Sequence, residues 1–190
     1  MTKTTPSTRE RLLETAARLF FEHDYRAIGV DTIVAESGVG KMTLYRHFPT
    51  KDDLVVAFLR DSNEKFWAWF DEATRRADTP RDKLLAYFQS LERLVTSPTC
   101  YGCPFLNAAV DFPQREHPGH AIALEHKQAV RTRFGELAAT AGTHDPAALA
   151  DQLILLMDGA FMAARMFGSD SPARGVAQAA QALIDAQLEA

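Results

Sequence analysis

Only two cysteines occur in 190 residues, too few for a disulfide framework, so the fold must rest on its apolar core and suits a reducing compartment. No stretch sustains apolar/polar alternation with β-branched residues, which removes the strand pattern and points to an all-α chain. Nor is there a glycine-rich phosphate loop, or a serine, histidine and acid set at recognisable spacing. The chain therefore reads as a non-enzyme with no cofactor. The longest apolar run, residues 153–157 resumed after Asp158 up to 166, is broken by that carboxylate and ends around Arg165. It falls short of an uninterrupted span of about 20 residues. The opening MTKTTPSTRERLLE has no apolar core behind its charges, against a secretory signal or lipid anchor. A cytoplasmic protein with no membrane partner is expected.

What is present is 46% apolar residues, enough to fill a core, and an uneven charge. Residues 1–51 hold eight Lys/Arg against six Asp/Glu, whereas the rest of this chain of net charge −4 holds thirteen against nineteen. A polyanion would dock at the cationic head and be repelled by the body.

Punctuation divides the chain into about nine helices. Ser7 or Thr8 caps a first helix with apolar stripe Leu12, Leu13, Ala16, Ala17, Leu19 and Phe20, ending near His23. Short helices follow over 31–37, closed by Gly38, and from 41 to about 48, stopped by Pro49. Thr50 and Asp53 start a long helix over roughly 51–77. Thr79-Pro80, Asp145-Pro146 and Ser171-Pro172 each set a cap residue before a proline, starting helices near 80, 146 and 172. FLNAAV forms a short piece in a loop-rich region, and another helix covers about 118–141.

The stretch SGVGKMTLYRHFPTKDDL carries the most chemistry. Two short helices joined by Ser37-Gly38-Val39-Gly40 must meet sharply, because the turn is too brief for antiparallel packing and Gly38 can take a positive φ. That is a helix-turn-helix. With Val39, Leu44 and Phe48 facing inward, Lys41, Met42, Thr43, Tyr45, Arg46 and His47 face outward, as a duplex reader requires. Lys51 would neutralise a phosphate beside the next helix's N-terminal amides. The competing reading is a plain solvated basic face.

These residues, with LLETAARLFFEHDYRA and DTIVAESGV before them, resemble the DNA-binding domain of the TetR family of transcriptional regulators across residues 10–54. The resemblance implies a three-helix helix-turn-helix domain, residues 1–51, joined by a long connector helix to an effector-binding and dimerisation domain, residues 52–190. It implies a homodimer on a two-fold operator of double-stranded DNA, released by a small-molecule effector. Carried over by motif, Thr32, Tyr45, Arg46 and Lys51 become phosphate contacts, and Lys41, Met42, Thr43 and His47 base or near-base contacts. The chain departs from the family pattern at Asp24, Val34, Gly40 and Met42, so no relative's operator transfers to it.

In the body, ALADQLILLMDGAFMAARMF is apolar almost all round and must be covered on both sides. Gly159, Ala160 and Ala163 would let a second helix approach, and the last helix adds Val176, Ala180, Leu183 and Ile184. Similar helices in the family form a four-helix dimer interface; a central core helix of a monomer is the alternative. For an effector cavity the expected wall is Phe66, Trp69, Phe70, Phe88, Phe105 and Phe161, with Asn107, Asp111, His126 and Asp158 as polar groups. Asp158 stands out, because an unpaired charge inside an apolar helix is costly. Cys100 and Cys103, in C-x-x-C with His117 and His120 beyond, leave open a thiol- or metal-responsive regulator on the same scaffold, although only two residues separate His117 from His120, fewer than the usual three to five. A small helical enzyme or carrier is the remaining rival.

Overall fold

The computed structural model describes residues 6–188. Residues 1–5 and 189–190, the outer ends of both expected domains, lie outside the described residues, and so does the start of the N-terminal stretch. Among the described residues there are nine α-helices and no strand.

Helix α1, Thr8–Glu22, begins in a capping box in which Ser7 Oγ accepts the Glu10 N–H and Glu10 accepts that of Ser7. Its stripe of Leu12, Ala16, Leu19 and Phe20 is buried. Helix α2, Val30–Ser37, ends at Gly38, whose φ of 64° is left-handed, and α3, Lys41–His47, follows after Val39 and Gly40. Helix α4, Lys51–Thr74, repeats the capping box with Thr50 and Asp53. It stops three residues before its expected end, where Thr74 turns its hydroxyl back onto the Phe70 carbonyl at 2.9 Å.

The body comprises α5, Pro80–Val95, α6, Pro104–Asp111, α7, Pro118–Ala141, α8, Pro146–Phe167, and α9, Val176–Leu188. Four of them begin with the proline at the first helical position that their sequences announce. The expected start near 172 is instead a 3-10 turn, Pro172–Gly175, in which the Val176 N–H reaches the Ala173 carbonyl three residues back; the α-helix begins after it. Helix α5 is the axis of the body, burying Leu84, Tyr87, Phe88, Leu91 and Val95 against α4, α7, α8 and α9.

Helix α8 runs unbroken through Asp158. By length and composition it would suffice to cross a membrane, contrary to what the interrupted run suggested. In this fold it lies against α7 and α9 with Leu149, Leu153, Met157 and Ala164 buried.

Head and body share α4. Its Leu54, Val55 and Phe58 are buried near α1, where Phe20 meets Phe58 edge-on at 5.6 Å, while Phe70 is buried against Tyr87 of α5. A second link runs through α6: the Tyr25 N–H donates to Asp111 Oδ2 at 2.7 Å and the Tyr25 hydroxyl to the Pro104 carbonyl at 2.9 Å. Arg165 reaches Asp24 at 3.2 Å, and His117, stacked on Phe112, lies 3.4 Å from Asp52.

Candidate functional site

Two sites are built at opposite ends of α4. At the head, Leu44 is fully buried and Val39 and Phe48 nearly so, which fixes the roll of α3 and turns its other side to solvent. Met42 is 81% exposed and Tyr45 38%. Arg46 and His47 are exposed, Thr43 is half-buried, and Thr32 is exposed on α2. Lys41, also exposed, donates to Asp31 of α2 at 2.7 Å and would have to leave that carboxylate to meet a base. Lys51 is half-buried, and desolvation draws its pKa below the ordinary lysine value, against the opposing pull of Asp52 and Asp111. The frame around this face is rigid: Arg11 donates to the Ser37 carbonyl at 2.9 Å, Arg18 pairs with Glu36 at 2.8 Å, and the Arg9 guanidinium sits 5.1 Å over the Phe48 ring.

At the body end a cavity of about 500 Å³ opens between α1, α4, the segment before α6, and α7 and α8. Of the residues expected to form it, Phe66, Trp69, Phe105, His126 and Phe161 line it together. The others are placed elsewhere. Phe70 and Phe88 turn the opposite way into the core around Tyr87 and Phe134. Asp111 is occupied by the Tyr25 amide. Asn107 borders a small recess beside Phe161 and Arg165. Asp158 is paired with Lys127, and it is the lysine that reaches the cavity wall.

Periodicity of apolar residues missed the polar part of this wall. Asp61, Ser62 and Lys65 line the cavity beside Phe66 and Trp69. All five share one face of α4 at spacings of one, four, five and eight, which is the signal that would have found them. Lys65 pairs with Asp61 at 2.7 Å, so both visible cations of the wall are neutralised by carboxylates.

His126 is the most constrained polar group of the site. Its residue is 3% exposed, its ring stacks on Phe105 at 3.6 Å and 9°, and it meets Phe66 edge-on at 4.7 Å. Its Nδ1 lies 2.7 Å from Asn63 Oδ1. Burial, helped by the Lys127 charge, pushes its pKa down to about 3, so the ring is neutral near pH 7.

Cys100 and Cys103 also border the cavity as free thiols. Burial pushes the Cys100 thiol's pKa up, which favours the unreactive protonated form. His117 and His120 are directed elsewhere, to Asp52 and to the Phe112 carbonyl at 2.8 Å. Among the described residues no group of three or more His, Cys, Asp or Glu is placed to hold a metal.

The expected dimer residues divide. Ala160 of α8 and Val176, Ala180 and Ile184 of α9 are buried within the chain, α9 packing against α5 and α8. Gly159 is exposed, and Ala163 and Leu183 are half-buried. The outward face of α8 is instead an apolar row, with Leu155 and Met166 each 71% exposed, Gly159 and Met162 between them, and Phe167 exposed at its end.

Comparison with known proteins agrees with this geometry. Residues 12–58 match the pattern of "Bacterial regulatory proteins, tetR family", and residues 80–180 that of the "Tetracyclin repressor-like, C-terminal domain". The HTH-type transcriptional regulator YjdC of Escherichia coli is 31% identical over 117 residues, a match spanning 61% of this chain and 61% of YjdC. A tetR-type transcriptional regulator from Streptomyces avermitilis superposes with a TM-score of 0.86 at 32% identity, covering 96% of this chain and 98% of its own. SCO4454 of Streptomyces coelicolor, a TetR-family transcriptional regulator, gives 0.86 at 33%, covering 96% and 94%. With the head, the connector and most of the body each accounted for, the chain belongs to the tetR family of bacterial regulatory proteins.

Proposed function

We propose that this protein is a ligand-responsive transcriptional regulator that binds duplex DNA as a homodimer and leaves its operator when a small molecule fills the body cavity. The observation that carries this reading is the outward face of α3, where Met42, Tyr45, Arg46 and His47 stay exposed because Leu44 and the left-handed Gly38 fix the helix's roll. Thr32, Lys41, Met42, Thr43, Tyr45, Arg46, His47 and Lys51 are the proposed DNA contacts. Residues 1–51 form the head and 52–190 the body, and as a regulator of transcription the protein works in the cytoplasm.

The partner in the dimer is a second copy of the chain. Leu155, Gly159, Met162 and Met166 repeat at spacings of four, three and four along α8, a seam suited to a facing helix. Ala179, Leu183 and Ala186 follow at spacings of four and three on α9, with Ala182 beside Leu183. Two heads would then read half-sites one helical turn apart, about 34–36 Å. Since α4 carries a cavity wall and begins where the head ends, ligand binding that tilts it changes the head spacing. A coupling of about 1–3 kcal/mol between ligand and DNA is typical of such linkage.

Duplexes selected from a random pool and titrated by gel shift test the reading. Tyr45→Ala, Arg46→Ala and Lys51→Ala should weaken binding alike on all sequences, the two cationic losses each lowering the salt slope by about 1. Met42→Ala should alter base preference instead. Unchanged affinity in the triple variant would overturn the assignment of α3.

A further inference from the structure

The effector reading above leaves the chemistry of the ligand open, and His126 narrows it. Asn63 presents its oxygen to Nδ1, and an amide oxygen can only accept, so Nδ1 carries the ring hydrogen and Nε2 is a bare acceptor. Asn63, the partner of Nδ1, lines an outer groove with Trp67 and Ile122 and does not border the cavity, whereas His126 borders both spaces. With Nδ1 taken by Asn63 on the groove side, Nε2 is the ring nitrogen left for a ligand in the cavity. Among the described residues Nε2 has no hydrogen-bond partner, yet no buried side-chain nitrogen or oxygen there is left without one, so Nε2 must border open space.

The charged side chains of the wall are paired with one another or with a neighbour. Lys65 is offset by Asp61 and Lys127 by Asp158, so neither a cation nor an anion finds an uncompensated partner. Phe66, Trp69, Phe105 and Phe161 supply flat aromatic faces instead. A volume of about 500 Å³ lies within the usual range of small-molecule sites, about 300–1,000 Å³.

Resting on the effector reading, we infer that the cavity takes a neutral, flat aromatic molecule bearing a hydroxyl, a phenol in chemical class, which lies against the aromatic wall and donates its hydrogen to His126 Nε2. Because burial keeps the imidazole unprotonated, this acceptor is available throughout the neutral pH range.

Purified protein is titrated with 2-naphthol, 2-methoxynaphthalene and a naphthyl trimethylammonium salt, following quenching of the two tryptophans, of which Trp69 lines the cavity. The phenol should bind about tenfold or more tighter than its methyl ether, the difference one satisfied buried acceptor makes. His126→Phe should erase that preference and keep affinity for the ether, while His126→Gln, which retains an accepting oxygen, should keep part of it. The wild-type comparison stands by itself if either variant folds poorly. Equal affinities, tightest binding of the ammonium salt, or binding of none of the three overturns the inference. Gel shift on selected duplexes separates the two readings: phenol binding without any DNA binding sinks the regulator and leaves the ligand class standing, and the converse does the reverse.

Discussion

Gly38 and His126 each owe their role to a single local constraint. A residue at φ 64° would cost a side-chain-bearing amino acid roughly 1–2 kcal/mol, and here the nearest atom to an added Cβ would be Arg11 Nη2 at 3.8 Å. The glycine is required by backbone conformation, not by space. His126 is required by its surroundings, and they make its contribution to stability depend on pH. Its native pKa of about 3 lies below the ordinary 6.5. As pH falls through 6.5 the unfolded chain takes up a proton that the native ring refuses, so stability declines toward pH 3, by at most about 1.4 kcal/mol per pH unit. Between pH 7.5 and 5.5 the wild type should lose about 1 kcal/mol more than His126→Gln in urea unfolding, and equal losses would contradict the buried neutral ring. At this scale the sequence could name His126 and Asp158 as polar candidates but could not choose between a partner and a ligand for Asp158. An acid in an apolar helix was legible as costly when unpaired; that Lys127, 31 residues away, resolves the cost was not.

At the scale of elements, start and stop signals were the most legible part of the chain. Ser7 and Thr50 with their capping boxes, and the prolines at 80, 104, 118 and 146, mark helix starts because first-turn amides lack partners in any fold. Which way a helix faces is a different matter. Helix α9 has five alanines among thirteen residues, and composition could not tell the side carrying Val176, Ala180 and Ile184, buried against α5 and α8, from the side left bare. The bare row on α8 yields a prediction. Leu155→Arg places a charge in the proposed seam without touching the buried side of the helix. It should shift the protein from dimer to monomer in sedimentation equilibrium and reduce operator affinity by two orders of magnitude or more; a dimer of unchanged stability would move the interface elsewhere.

The whole molecule is bound together by α4 and by α6. Tyr25, between α1 and α2, touches both the head core through Phe20 and Phe58 and the body through Phe112, Asp111 and Pro104. The wall of the cavity includes Pro104 and Phe105, so the ligand site and the head are one residue apart at this point. Tyr25→Phe and Asp111→Ala each remove one buried or part-buried hydrogen bond and should cost about 1–3 kcal/mol. Combined, they should split the unfolding of the wild type into two transitions, the head melting first, which calorimetry would resolve. A single sharp transition in the double variant would assign the connection to α4 alone.

By itself the sequence determined the all-helical class, the helix starts other than that of α9, the sharp turn at Gly38 and the outward chemistry of α3, since each depends on residues within a few positions of one another. Tertiary structure decided which aromatics face the cavity and which fill the core, that Asp111 serves the head and Asp158 a lysine, and which side of α9 is free. Those outcomes join residues 31 to 86 positions apart, and only the assembled helices bring such groups within reach.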